Sequence, residues 1–105
     1  LTWRQQQPAV VLHELAHAWH DQRLGYADPD ILLAYGEAMA AGLYDAVKHV
    51  GGSTGEAYAK TNEQEYFAEL TEAWFWQNDF YPFVNLELQQ HDSLGAEVVY
   101  GAWLR

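Results

Sequence analysis

Residues 8–24 read PAVVLHELAHAWHDQRL, and this stretch predicts one helix carrying the pattern His13-Glu14-Leu15-Ala16-His17. Helical positions four apart lie on the same face, so the imidazoles of His13 and His17 can bind a single ion. Glu14 is turned away from the line joining the two histidines but stays near the ion. Two histidines that bind zinc and a glutamate that acts as general base are typical of a zinc-dependent hydrolase.

The residues after this pattern narrow the type of zinc site. One metal-binding pattern adds a glycine and a third histidine downstream, but this chain has His20 and Arg23 at those two places, which excludes it. His20 is also a poor third ligand, because three ligands along two turns of one straight helix span about 10 Å. We therefore expect His20 or Asp21 to lie at the surface or to support a ligand without binding the ion.

Composition limits the class of protein. The 105 residues predict one domain covering 1–105, with half of the residues apolar. The chain begins at Leu1 without an initiator methionine, so we expect the domain to be incomplete at its N-terminus. A net charge of −10, with only five Lys and Arg, argues against nucleic acid and anionic membrane as partners.

The chain has no cysteine, which excludes disulfides, thiolate ligands and a cysteine nucleophile. Any metal must therefore be bound by histidine and carboxylate. Such a composition fits either side of a membrane, and of the two we favour an extracellular location.

The rest of the chain predicts a mainly α fold with no convincing strand. A scaffold helix starts at the Asp28 cap, and its apolar stripe continues to Val50. Glu37, Tyr44 and His49 are expected at the surface or at the edges of this helix. The other predicted segments are a flexible loop over 51–55, a helix from a cap at Thr61 or Asn62 to about Asn78, a short helical turn over 84–90, and a C-terminal helix over 93–104 capped by Asp92.

The helix after Asn62 is predicted to supply the third ligand. Glu65, Glu69 and Glu72 share one face of it, and aromatic residues flank Glu65. Such a carboxylate is expected to be partly buried and to need a counter-ion, while the first helix offers a metal with only two ligands. Two histidines and one glutamate leave a fourth zinc position open, as in catalytic sites.

Residues 58–69 read YAKTNEQEYFAE, and this string resembles the corresponding segment of the lethal-factor-like peptidases, a family of gluzincin metallopeptidases. The resemblance covers residues 8 to about 78. It implies a zincin-like helical core with one zinc ion bound by His13, His17 and Glu65. It also implies that Glu14 is the general base, that Tyr58 stabilises the oxyanion, and that Glu69 accepts a hydrogen bond from a ligand imidazole. Gluzincins normally have a small sheet upstream of the metal helix, and this chain lacks one.

The expected function is a zinc-dependent endopeptidase acting on a peptide or protein substrate. One alternative is an inactive zinc-binding module, in which the same ligands only join two helices. Another is a di-iron helical bundle, since Glu14 and His17 also form a Glu-x-x-His motif and Glu65 and Glu69 could bridge two irons. That design needs a second Glu-x-x-His motif, which this chain does not contain.

Overall fold

The computed structural model describes the backbone of residues 2–104 and the side chains of residues 11–104, and this part of the chain is mainly helical. The predicted mainly α fold class is therefore confirmed. No helix within the described residues is long and apolar enough to cross a membrane. The helices are α1 (Thr2–Trp19), α2 (Pro29–Ala40), α3 (Glu63–Phe75), α4 (Asn85–His91) and α5 (Ser93–Leu104).

Helix α1, which carries the two histidines predicted to bind metal, differs from the prediction at both ends. It begins at Thr2, not at Pro8, because the arginine and the three glutamines of residues 4–7 are good helix formers. The α-helix ends at Trp19 and continues as a wider π-helical turn over His20–Leu24. The amide of Gly25 donates to the carbonyl of His20 at 2.7 Å, a bond between residues five apart.

The scaffold helix α2 is much shorter than predicted, since it ends at Ala40 and not near Val50. Gly42 adopts a φ of +67°, a left-handed conformation that favours glycine. Its amide donates to the carbonyl of Met39, and the amide of Leu43 donates to the carbonyl of Ala38. These two bonds form a Schellman motif, which satisfies the last carbonyls of the helix and turns the chain away.

Two short strands that the sequence did not reveal follow α2. β1 (Val47–Lys48) pairs antiparallel with β2 (Thr54–Gly55), with Val47 opposite Gly55. Gly52, with a φ of +101°, lies in the turn between them. Residues 51–55, predicted as a flexible loop, therefore form part of the turn and the second strand of a hairpin. Strands of two residues are too short to produce a detectable alternation of apolar and polar residues.

The start of α3 settles which residue caps this helix. The side chain of Asn62 accepts a hydrogen bond from the amide of Glu65 at 2.8 Å, so Asn62 and not Thr61 is the cap. The helix ends at Phe75, three residues before the predicted end. Because Glu65 lies in the first turn, the capped end of α3 determines where its carboxylate points.

Asp92 joins three parts of the fold. Its Oδ1 accepts from the amide of Gly95 at 2.9 Å, which makes it the predicted cap of α5. Its Oδ2 accepts from the hydroxyls of Tyr44 at 2.9 Å and Tyr66 at 2.6 Å. Asp92 and both tyrosines are buried, so the surface position expected for Tyr44 is wrong. Burial beside this carboxylate raises the pKa of both tyrosines.

The C-terminal helix α5 holds α1 and α3 together. Trp103 stacks on Trp19 at a centroid distance of 5.2 Å, and its indole N–H donates to Thr71 Oγ1 of α3. The indole N–H of Trp19 donates to the carbonyl of Ala102. The helices that carry the predicted ligands are thus fixed against a common neighbour. The largest fully buried side chains include Ile31, Tyr44, Tyr66, Phe67, Leu70, Leu88 and Val99.

Candidate metal site

Helices α1 and α3 bring the three predicted ligands into contact. The Nε2 atoms of His13 and His17 are 3.1 Å apart, as expected for histidines one helical turn apart. Glu65 Oε1 lies 3.0 Å from Nε2 of His13 and 3.4 Å from Nε2 of His17. The three side chains are partly exposed. Two nitrogens and one oxygen therefore form a compact triangle that solvent can reach.

The size of this triangle fits a zinc ion. Zinc binds histidine nitrogen and carboxylate oxygen at about 2.0–2.2 Å, so tetrahedral geometry separates two ligand atoms by about 3.3 Å. The three observed separations are 3.0, 3.1 and 3.4 Å. Two imidazoles and one carboxylate are also a donor set that zinc accepts. Both distance and chemistry are thus compatible with this ion.

The hydrogen bonding of His13 explains why a cation suits this triangle. Its Nδ1 lies 2.7 Å from Glu72 Oε2, and because a carboxylate only accepts, Nδ1 carries the proton. In a neutral ring, Nε2 then presents a lone pair to the Glu65 oxygen at 3.0 Å. Two acceptors at this distance need a proton or a metal ion between them. In the protein alone, the hydrogen bond to Glu72 and the charges of Glu72 and Glu65 raise the pKa of His13.

Two further glutamates of α3 lie behind His13. Glu72 and Glu69 are both buried, with 7% and 6% of their surface exposed. Glu69 Oε2 is 3.7 Å from His13 Nδ1, too far for a hydrogen bond, so the structure gives Glu72 the acceptor position predicted for Glu69. Burial is the main cause that raises the pKa of Glu69, and a hydrogen bond with Glu72 and the charge of Glu72 raise this pKa further.

Glu72 had no predicted role, although the sequence contained a signal for it. It follows Glu65 by seven residues, and seven residues are two helical turns, so both side chains face the same neighbour. The sequence identified that shared face. It did not show which of the two later glutamates reaches the imidazole.

The other predicted site residues make no contact with the triangle among the described side chains. Glu14 and Asp21 are exposed, and neither is hydrogen-bonded or ion-paired to a ligand. Tyr58 lies in the short 3-10 helix Tyr58–Lys60 before α3, with half of its surface exposed. The roles expected for these three residues stay predictions.

His20 begins the π-helical turn that follows α1 and lies apart from the triangle. Its ring is fully buried between the rings of Tyr26 and Phe67, at centroid distances of 4.9 and 5.1 Å. Neither ring nitrogen has a hydrogen-bond partner within the described part of the chain. Burial lowers the pKa of His20, so its ring is held in the neutral form.

Comparison of this chain with protein-family models, with curated proteins and with solved structures finds no match in any of the three. The resemblance to lethal-factor-like peptidases therefore stays a prediction from the sequence string.

Proposed function

We propose that this protein is a zinc-dependent endopeptidase of the zincin-like type. The observation that carries the proposal is the triangle formed by Nε2 of His13, Nε2 of His17 and Oε1 of Glu65. Its sides of 3.0–3.4 Å match those of a tetrahedral zinc site with one position left over. A free position distinguishes a catalytic zinc site from a structural one with four protein ligands.

The proposed mechanism assigns a role to each residue around the triangle. His13, His17 and Glu65 would hold one zinc ion, which supplies Lewis acidity and lowers the pKa of water toward 7. Glu14 takes the proton of the attacking water and later delivers it to the leaving amine. Its exposed carboxylate, one residue from His13, suits a group that must meet both water and substrate. The Tyr58 hydroxyl donates to the developing oxyanion, a contribution of about 3 kcal/mol in comparable sites.

The test is the substitution Glu14→Gln, which keeps the size of the side chain but removes its basicity. We expect the zinc-loaded variant to bind the metal as the parent does and to lose hydrolysis of a fluorogenic peptide library by at least about 100-fold. Glu37→Gln is the matched control, because Glu37 is an exposed glutamate on α2. Activity of Glu14→Gln equal to that of the control would contradict the mechanism.

A second candidate is an inactive zinc-binding module that joins α1 to α3. It is favoured by Tyr58, whose exposed ring has no contact with the ligands among the described side chains. Zinc binding without any peptide hydrolysis sensitive to a chelator would support this candidate. The di-iron alternative is disfavoured, because it requires Glu14 as a ligand, and among the described residues Glu14 belongs to neither group of side chains that could hold a metal ion.

The proposed substrate is a peptide or protein chain. An extracellular location stays a prediction.

A further inference from the structure

We propose that Glu72 is the positioning residue of this site. Glu72 holds the His13 ring so that Nε2 faces the metal, and Glu69 does not have this role. The inference rests on the proposed zinc site. It differs from the expectation that the resemblance implies, in which Glu69 accepts a hydrogen bond from a ligand imidazole. Glu72 does not touch the metal or the substrate, and it acts only through His13.

The contacts of the His13 ring support this assignment. Its two nitrogens have separate partners, since Nδ1 lies 2.7 Å from Glu72 and Nε2 lies 3.0 Å from Glu65. Both partners belong to α3, so one helix fixes the ring from both sides. A hydrogen bond from Nδ1 leaves Nε2 as the only nitrogen that can bind a metal, and a charged acceptor makes that nitrogen more basic.

Glu69 is a matched comparison for Glu72. Both are buried glutamates on α3, and both point toward the same nitrogen of His13. They differ in distance, because the Glu69 oxygen is 3.7 Å from Nδ1 and the Glu72 oxygen is 2.7 Å from it. Only the shorter distance is that of a hydrogen bond.

The same three residues could instead hold a second ion, because His13, Glu69 and Glu72 place ligand atoms within 4.8 Å of one another. Two observations disfavour this. The 2.7 Å contact is shorter than the roughly 3.3 Å between ligands of a tetrahedral zinc ion. A second ion on Nδ1 would also make His13 bind metals through both nitrogens, with no proton left on the ring.

The experiment measures zinc affinity by competition with a chromophoric chelator for the parent, Glu72→Gln and Glu69→Gln. We expect Glu72→Gln to weaken zinc binding by about 10-fold or more, since loss of such an acceptor typically costs 10–100-fold, and Glu69→Gln to leave it nearly unchanged. In the zinc-loaded parent, nitrogen NMR of the His13 ring should show a proton on Nδ1 and zinc on Nε2. If Glu72→Gln does not fold, the same spectrum of zinc-loaded Glu69→Gln decides between the two glutamates, because the Nδ1 proton should be unchanged if Glu72 is its acceptor.

The outcomes separate the inference from the proposed function. A parent protein that binds no zinc would remove the proposed function itself. A parent that binds zinc with Glu72→Gln as tight as the parent, or with Glu69→Gln as the weaker variant, would overturn the inference alone. So would two zinc ions per chain, or zinc on Nδ1 of His13.

Discussion

Replacing Asp92 by alanine should destabilise the protein more than any surface substitution, because this carboxylate is shared by three hydrogen bonds. It accepts from the hydroxyls of Tyr44 and Tyr66 and from the amide of Gly95. Only 4% of its surface is exposed, and both tyrosines are buried. Asp92→Ala therefore leaves two hydroxyls without a partner and removes the cap of α5.

The size of the effect follows from these contacts. An unsatisfied buried hydroxyl costs about 1–3 kcal/mol, and the loss of a helix cap costs about 1 kcal/mol. Together they predict a decrease of about 4 kcal/mol in the free energy of unfolding, a large part of the 5–15 kcal/mol typical of a domain. For a chain of this size the melting temperature should fall by roughly 15–30 °C.

Urea unfolding followed by circular dichroism measures this decrease. Asp45→Ala is the control, because Asp45 is exposed and only forms an ion pair with Lys60, so its replacement should change stability by less than about 0.5 kcal/mol. If Asp92→Ala lowered the stability as little as the control, the Asp92 carboxylate would not be what joins α3, α5 and the Tyr44 segment. Because Tyr66 follows Glu65 directly, this network also fixes the part of α3 that carries the predicted third ligand.

Two other predictions concern His20 and Gly42. Burial lowers the pKa of His20 below its ordinary value of about 6.5. At pH values below 6.5 the unfolded chain therefore binds more protons than the folded chain, and the free energy of unfolding decreases as the pH is lowered. The free energy of unfolding of His20→Phe minus that of the parent should therefore increase as the pH drops from 7.5 to 5. The charges of Asp28 and Glu63 favour the charged ring and only reduce this effect. A difference that does not change with pH would contradict the prediction. Gly42→Ala should lower the free energy of unfolding by about 1 kcal/mol, because the φ of Gly42 is +67° and a Cβ there would lie 3.1 Å from Asp45 Oδ2. Gly36→Ala should instead raise the free energy of unfolding by up to about 1 kcal/mol, because Gly36 is in the middle of α2 and a Cβ there meets open space. If urea unfolding showed that both substitutions change the stability in the same direction, the account of how α2 ends would be refuted.

The sequence predicted the local features of the fold well. A cap such as Asp92, or a pair such as His13 and His17, depends on residues within one or two turns, so spacing alone determines it. The end of α2 was predicted wrongly because the spacing of apolar residues continues beyond the helix. Leu43 and Val47 continue the helical spacing of apolar residues, but they pack against the core from a turn and a strand. A periodic pattern indicates which residues are buried and does not show that the backbone stays helical.

The candidate site shows where prediction from sequence stops. The meeting of Glu65 with the two histidines was expected because a partly buried carboxylate and a two-histidine metal site each need the other. The choice between Glu69 and Glu72 depends on how α1 crosses α3 and on how the His13 ring is rotated. These are tertiary features that no spacing within α3 encodes.

The central claim is that one zinc ion is bound between α1 and α3. A crystal structure of the zinc-loaded protein, with anomalous scattering measured at the zinc edge, tests it most directly. We predict one ion per chain within about 2.0–2.2 Å of Nε2 of His13, Nε2 of His17 and an oxygen of Glu65. Zinc at another place, or a Glu65 side chain turned to solvent while the histidines bind the ion, would contradict the claim.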